Sequence, residues 1–159
     1  MGMLYLSDDN KAVGKMLNIL VSACLLGCAC RYDGKSKPCE AVLSLTKKYN
    51  LIPVCPEIFG GLSTPRDASE ISGEKVVSKE GADNTQCFLR GAREALRLAR
   101  IFGCEKAILK SKSPSCGKGF VYDGSFSGKL IPGNGITAHM LMENGIKIYT
   151  ENDIGGADL

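Results

Sequence analysis

Four short apolar runs punctuate the chain: 17–22 (LNILVS), 51–54 (LIPV), 106–109 (KAIL) and 146–149 (IKIY). Each is short and rich in branched residues, as suits strands covered on both faces of a parallel sheet. Between them the period changes from 2 to 3.6. Over 85–102, Phe88, Ala92, Ala95, Leu96 and Ala99 share one face, with Asn84 or Thr85 as cap, and Arg90, Arg93, Arg97 and Arg100 form the opposite stripe. A helix is expected over 38–49, with Pro38 in its first turn, Val42, Leu43 and Leu45 inward, Lys47 and Lys48 near its C-terminal dipole, and Asn50 as a left-handed stop. Another is expected over 136–144, ended by Gly145. A weak pattern over 71–82 suggests a small hairpin, and 121–135 reads as turn-rich connection. Strands alternating with helices predict a three-layer α/β domain, Rossmann-like or flavodoxin-like, with a mainly parallel sheet of about four strands. Pro53 points to an edge position for the second strand.

The N-terminus tests the compartment. Lys15, the apolar run 16–27 and Cys28 have the outline of a lipoprotein leader. Asp8 and Asp9 oppose it, Asn18 and Ser22 interrupt the run, and cleavage would delete Cys24, so the run reads better as the first buried strand. Residues 1–15 are expected to be a leader, an upstream-start artefact or a cloning remnant, 16–154 one domain, and 155–159 a tail. No segment reaches the ~20 apolar residues of a membrane span.

Composition narrows the chemistry. The 159 residues include 8 cysteines, 1 histidine and no tryptophan, with net charge +3. A three-histidine zinc site or a two-Cys, two-His finger is excluded, and any cysteine–histidine catalytic pair must use His139. The charge surplus is too mild to predict a nucleic-acid footprint, so the arginine stripe reads as a solvated helix face rather than a tRNA-binding ridge. The cysteines are too sparse for a secreted disulfide scaffold in a chain able to bury a core unaided. A reducing, cytoplasmic setting is expected, where clustered thiols mean metal or catalysis.

Three cysteines share a placement: Cys24 follows the first strand, Cys55 the second, and Cys116 lies in the loop after the third. In an open parallel sheet, ligands bind outside such strand ends, where the strand order switches. Three convergent thiolates without histidine suit zinc with an open position or an iron–sulfur cluster with one iron not held by protein. The simpler alternative is that Cys24 and Cys55 are small buried residues at strand ends.

Ser22-Ala23-Cys24-Leu25-Leu26-Gly27, Arg31-Tyr32-Asp33-Gly34, Cys55-Pro56-Glu57, Gly61-Leu62, Pro65-Arg66 and Lys110-x-x-Ser113-Pro114-Ser115-Cys116-Gly117 occur in this order. In these motifs, over about 16–154, the sequence resembles the thiouracil desulfidase family. The resemblance implies a [4Fe–4S] cluster held by Cys24, Cys55 and Cys116, a fourth iron open to sulfur of a thiolated nucleobase, and hydrolysis of the carbon–sulfur bond without net redox change. Glu57 is the carboxylate best placed to activate water, and Ser113 the candidate hydrogen-bond donor or proton relay. Each has a plainer alternative, Glu57 as a helix-start acid and Ser113 as a turn residue. Arg31 and Asp33 either brace the first loop, the favoured reading, or contact substrate, whereas Arg66 either binds an anion or ties down its own loop. Gly27, Gly34, Gly61 and Gly117 are expected at tight turns or close approaches. Cys28, Cys30, Cys39, Cys87 and Cys104 have no family role. Cys28 or Cys30 is a candidate fourth ligand. Cys87 and Cys104 read as core or surface thiols. A zinc-binding structural or regulatory protein using Cys24, Cys28, Cys30 and Cys39 is the competing reading. Oligomeric state is not legible.

Overall fold

A computed structural model describes residues 14–155 and 159. The expected leader therefore lies, for 1–13, outside the described residues, as do 156–158 of the expected tail. The described elements run β1 (Asn18–Ser22), α1 (Glu40–Ser44), β2 (Asn50–Val54), α2 (Pro56–Phe59), β3 (Ser69–Ser72), β4 (Lys75–Ser78), α3 (Thr85–Ile101), β5 (Lys106–Leu109), β6 (Phe120–Tyr122), β7 (Leu130–Pro132), α4 (Ile136–Glu143) and β8 (Lys147–Thr150). No helix among the described residues is long and apolar enough to cross a membrane.

The four apolar runs form one sheet in the order β2-β1-β5-β8, every pair parallel. The alternation of β1 explains its two-sided burial. Leu20 packs with Ala95, Leu96, Ala138 and Leu141 of α3 and α4, while Ile19 and Val21 pack on the other side with Leu25 and Val42 of the α1 layer. In β5, Ala107 and Leu109 join the first group and Ile108 the second. The result is the expected three-layer α/β arrangement. From β1 the chain steps to β2 on one side and later returns to β5 on the other, so right-handed crossovers put α1 and the α3–α4 pair on opposite faces. Pro53 is exposed on β2, an edge strand that tolerates a missing N–H.

Three departures from the sequence expectation have physical causes. The helix expected over 38–49 is only Glu40–Ser44 followed by a 3₁₀ turn, Leu45–Lys47. There the Ser44 and Thr46 hydroxyls donate to the carbonyls of Ala41 and Leu43, the local bonding by which such residues compete with helical structure. Asn50 does not stop a helix in the left-handed region but opens β2, its amide donating to Asn18 Oδ1 at 3.0 Å. The turn-rich stretch contains a second hairpin, β6 with β7, beside the expected one, β3 with β4. Glu70 joins the two: its buried Oε2 accepts the N–H groups of Gly124 at 2.9 Å and Phe126 at 3.0 Å.

Two glycines set how closely α2 lies on α3. A Cβ at Gly91 would stand 1.8 Å from the Pro56 carbonyl oxygen, and one at Gly60 2.0 Å from that of Cys87. Only bare backbones fit there. Since Cys55 is the N-cap of α2, the fit also places that thiol. Gly91→Ala is expected to cost about 1–3 kcal/mol or more through overpacking, whereas Arg93→Ala on the exposed face should stay within about 0.5 kcal/mol. Thermal denaturation of the two variants checks the contrast.

Candidate functional site

The carboxyl ends of β1, β2 and β5 open into one cavity of about 630 Å³, at the point where the strand order reverses. Cys24, Cys55 and Cys116 all line it, and so do Glu57, Ser113, Arg66 and a fourth thiol, Cys30. All eight cysteines are free thiols.

Local structure brings each one in. Cys24 lies in a 3₁₀ turn directly after β1, buried, and its carbonyl accepts the N–H of Gly27 at 3.2 Å and of Lys37 at 2.9 Å, folding the 25–37 loop back on itself. Gly27, at φ 98°, makes that reversal. Within the loop, Arg31 pairs with Asp33 at 3.3 Å, the expected brace, and Cys30 is carried over the cavity. Cys116 sits in a loop stitched from both sides. The Ser113 hydroxyl oxygen accepts the N–H groups of Ser115 and Cys116, both at 3.1 Å. The first amides of α4, which have no partners within their own helix, bond the same loop: Ile136 N–H to Pro114 O at 2.9 Å and Thr137 N–H to Ser115 O at 2.8 Å. With both lone pairs of Ser113 taken, what its hydroxyl has left to offer is one proton to donate. This favours the donor role over a two-way relay.

Arg66 resolves the choice posed for it. Its Nε donates to Glu57 Oε2 at 2.7 Å and its Nη2 stands 2.6 Å from the same oxygen. The guanidinium also bonds the Ser63 carbonyl at 3.1 Å and the Cys30 carbonyl at 3.0 Å. It therefore ties down its own loop, locks Glu57 and anchors Cys30 together. Both contacts with Glu57 fall on Oε2, which leaves Oε1 outside the pair.

Three of the thiols are neighbours along the cavity wall. Cys24, Cys30 and Cys55 line it together, and the Cys55 thiol donates to the Cys30 carbonyl at 3.6 Å. Donation to Cys24 and burial, against the opposing contact from Cys55, leave the Cys30 thiol pushed up to about 11. Its bond to Cys30 and its burial push the Cys55 thiol strongly up as well. Burial raises Cys116 to about 12, despite favourable contacts from the Ser22 and Ser115 hydroxyls. Among the described residues no three Cys, His, Asp or Glu side chains are gathered tightly enough to share one metal ion, the four cysteines of the zinc reading included. Of those four, Cys28 is exposed, and neither it nor Cys39 lines the cavity. A donor set of thiols only, free of imidazole, fits soft iron–sulfur chemistry, and a four-iron cube is wider than one ion.

Three residues at the mouth had no role assigned from sequence. Lys110 bonds Glu151 and the Ser111 hydroxyl, while Ser111 donates its N–H to Glu151 at 2.8 Å. Glu151 thus pins the start of the loop that carries Cys116, from a position 35 residues further along the chain. Only the fold shows that pairing. Cys104 is buried in the α3–α4 core and Cys87 is half-buried on α3, as expected of thiols outside the site. The arginine stripe of α3 is exposed, with Arg97 3.8 Å from Glu94 and Arg100 2.7 Å from Asn144.

Residues 19–153 match the family model described as 2-thiouracil desulfurase. The uncharacterized protein YbbK of Bacillus subtilis (strain 168) is 40% identical over 146 residues, 86% of this chain and 97% of that protein. Among solved structures, one described as the [4Fe–4S]-dependent thiouracil desulfidase TudS matches with TM-score 0.82 and 43% identity, over 87% of this chain and 93% of its own.

Burial raises the Glu151 carboxyl, but its bonds from Lys110 and Ser111 outweigh that and hold it below the ordinary 4.5. The stability this contributes is complete above pH 4.5 and is lost as pH falls through the lower folded value. Glu151→Gln is expected to cost about 1–3 kcal/mol at neutral pH by leaving Lys110 unpaired, and to flatten the acid limb of stability. Urea unfolding between pH 3 and pH 7 measures both effects.

Proposed function

We propose, from the fact that the chain belongs to the 2-thiouracil desulfurase family, that it is a desulfidase replacing the sulfur of a thiolated pyrimidine such as thiouracil with oxygen, and that Cys24, Cys55 and Cys116 hold a [4Fe–4S] cluster. The observation that carries this reading is the arrival of those three thiols, from three separate strand ends, in one cavity beside Glu57. Such a cluster, held by three protein thiolates, would supply a soft Lewis-acidic iron suited to a thiocarbonyl sulfur.

The remaining work falls to this chain's own side chains. Glu57 Oε1 accepts a proton from the water that attacks the ring carbon, while Arg66 on Oε2 keeps the carboxylate aimed. Ser113 donates its one hydroxyl proton to the polarised ring. The 630 Å³ cavity holds a single planar base readily. Thiocarbonyl and water become carbonyl and hydrogen sulfide: a carbon–oxygen bond forms, a carbon–sulfur bond breaks, and no electrons are exchanged. The reaction is a hydrolysis, and its cofactor suits the reducing cytoplasm.

Anaerobic reconstitution tests the reading. The native chain is expected to take up iron and sulfide and convert thiouracil to uracil. Cys116→Ser should lose both iron and turnover with its circular dichroism unchanged, and full cluster content with full turnover in that variant would overturn the proposal. Glu57→Gln should keep its iron and lose about 10²- to 10⁴-fold in kcat, the range for removing a general base.

A further inference from the structure

The proposed chemistry uses three cavity thiols and leaves the fourth idle. Cys30 is nevertheless buried and lines the cavity, and its carbonyl is held by Arg66 at 3.0 Å and faced by the Cys55 thiol at 3.6 Å. It shares the cavity wall with two of the proposed ligands, Cys24 and Cys55, and the Cys55 thiol lies against its own backbone. Exposed Cys28 and peripheral Cys39, its neighbours in sequence, have no such position.

We propose that Cys30 is the resolving thiol of the cofactor-free site, an oxidative modification site at which hydrogen peroxide joins it in a reversible disulfide to Cys24 or Cys55. Peroxide is small enough to enter the open cavity. The sulfur of Cys24 or Cys55, once it has given up its proton, attacks peroxide: a sulfur–oxygen bond forms, the oxygen–oxygen bond breaks, and the hydroxide that leaves takes up that proton as water, leaving a sulfenic acid. The Cys30 sulfur then forms the sulfur–sulfur bond, and the oxygen leaves with the Cys30 proton as a second water. Two thiols and one peroxide give one disulfide and two waters. Without Cys30, whose backbone lies 3.6 Å from the Cys55 thiol, the sulfenic acid is left longer to further peroxide and proceeds to sulfinic acid, which ordinary thiols do not reverse. Cys30 thus preserves the neighbouring ligand thiol for a later reload. The disulfide itself rests on thiol geometry, its protective value rests on the ligand roles proposed above, and iron content and turnover of the untreated chain test those roles separately.

The experiment treats the full chain, before and after anaerobic reconstitution, with hydrogen peroxide, alkylates the remaining thiols and maps the peptides by mass spectrometry. The native chain should give a Cys30–Cys24 or Cys30–Cys55 peptide that dithiothreitol dissolves, and should regain its iron capacity on reduction. Cys30→Ser and Cys30→Ala, each checked by circular dichroism for a native fold, should give sulfinic acid at Cys24 or Cys55 and lose that recovery. A native chain in which Cys30 stays alkylatable while Cys24 and Cys55 pair or over-oxidise would overturn the proposal. So would variants whose oxidation products match the native chain's.

Discussion

The reversal of chain direction at β1 is the constraint on which the rest of the structure depends. β1 is flanked by β2 on one side and β5 on the other, and the crossovers to each leave by opposite faces of the sheet. No crossover passes above the seam between β1 and β5, so a crevice opens beyond their carboxyl ends. Residues that follow three different strands are delivered there: Cys24, Cys55 and Cys116, over 90 residues apart at the extremes. A chain that continued in one direction would have spread the same thiols along the sheet edge.

Holding these thiols still requires polar groups to be satisfied, and the molecule uses each polar side chain for several bonds at once. Arg66 joins Glu57, the 63–64 loop and the Cys30 carbonyl. Glu151 receives bonds from both Lys110 and Ser111. Ser113 and the N-terminal amides of α4 share the loop around Cys116. No buried side-chain nitrogen or oxygen among the described residues lacks a partner, so the low-dielectric surroundings of the cavity carry no uncompensated polar cost. The same burial pushes the Cys116 thiol up to about 12, so binding a metal through its thiolate must release that proton.

How much of this was legible in the sequence depended on the range of the interaction. Strands and α3 announced themselves because their periodicities are local, and a proline exposed on β2 marked an edge without any knowledge of its neighbours. The shortened α1 turned on hydroxyls bonding backward, a competition that an apolar pattern does not register. The β6–β7 hairpin has only three residues per strand and depends on Glu70, some fifty residues earlier, to dock its turn. Placing Cys24, Cys55 and Cys116 after strands brought them to one cavity on paper, as the fold does. Cys30 and the Arg66–Glu57 pair depend on the 25–37 loop folding back over Cys24, and the Glu151 contact joins residues some forty positions apart, so neither has a local signal.

The central claim is that the crevice between β1 and β5 is an iron–sulfur site made by three strand-end cysteines. Anomalous diffraction at the iron edge, from crystals of the anaerobically reconstituted chain, addresses it most directly. The account predicts a single compact iron peak inside the cavity, bonded to the sulfurs of Cys24, Cys55 and Cys116, with one iron free of any protein ligand. Iron bound elsewhere, at Cys28 and Cys39 for instance, or a fourth bond from Cys30, would contradict it.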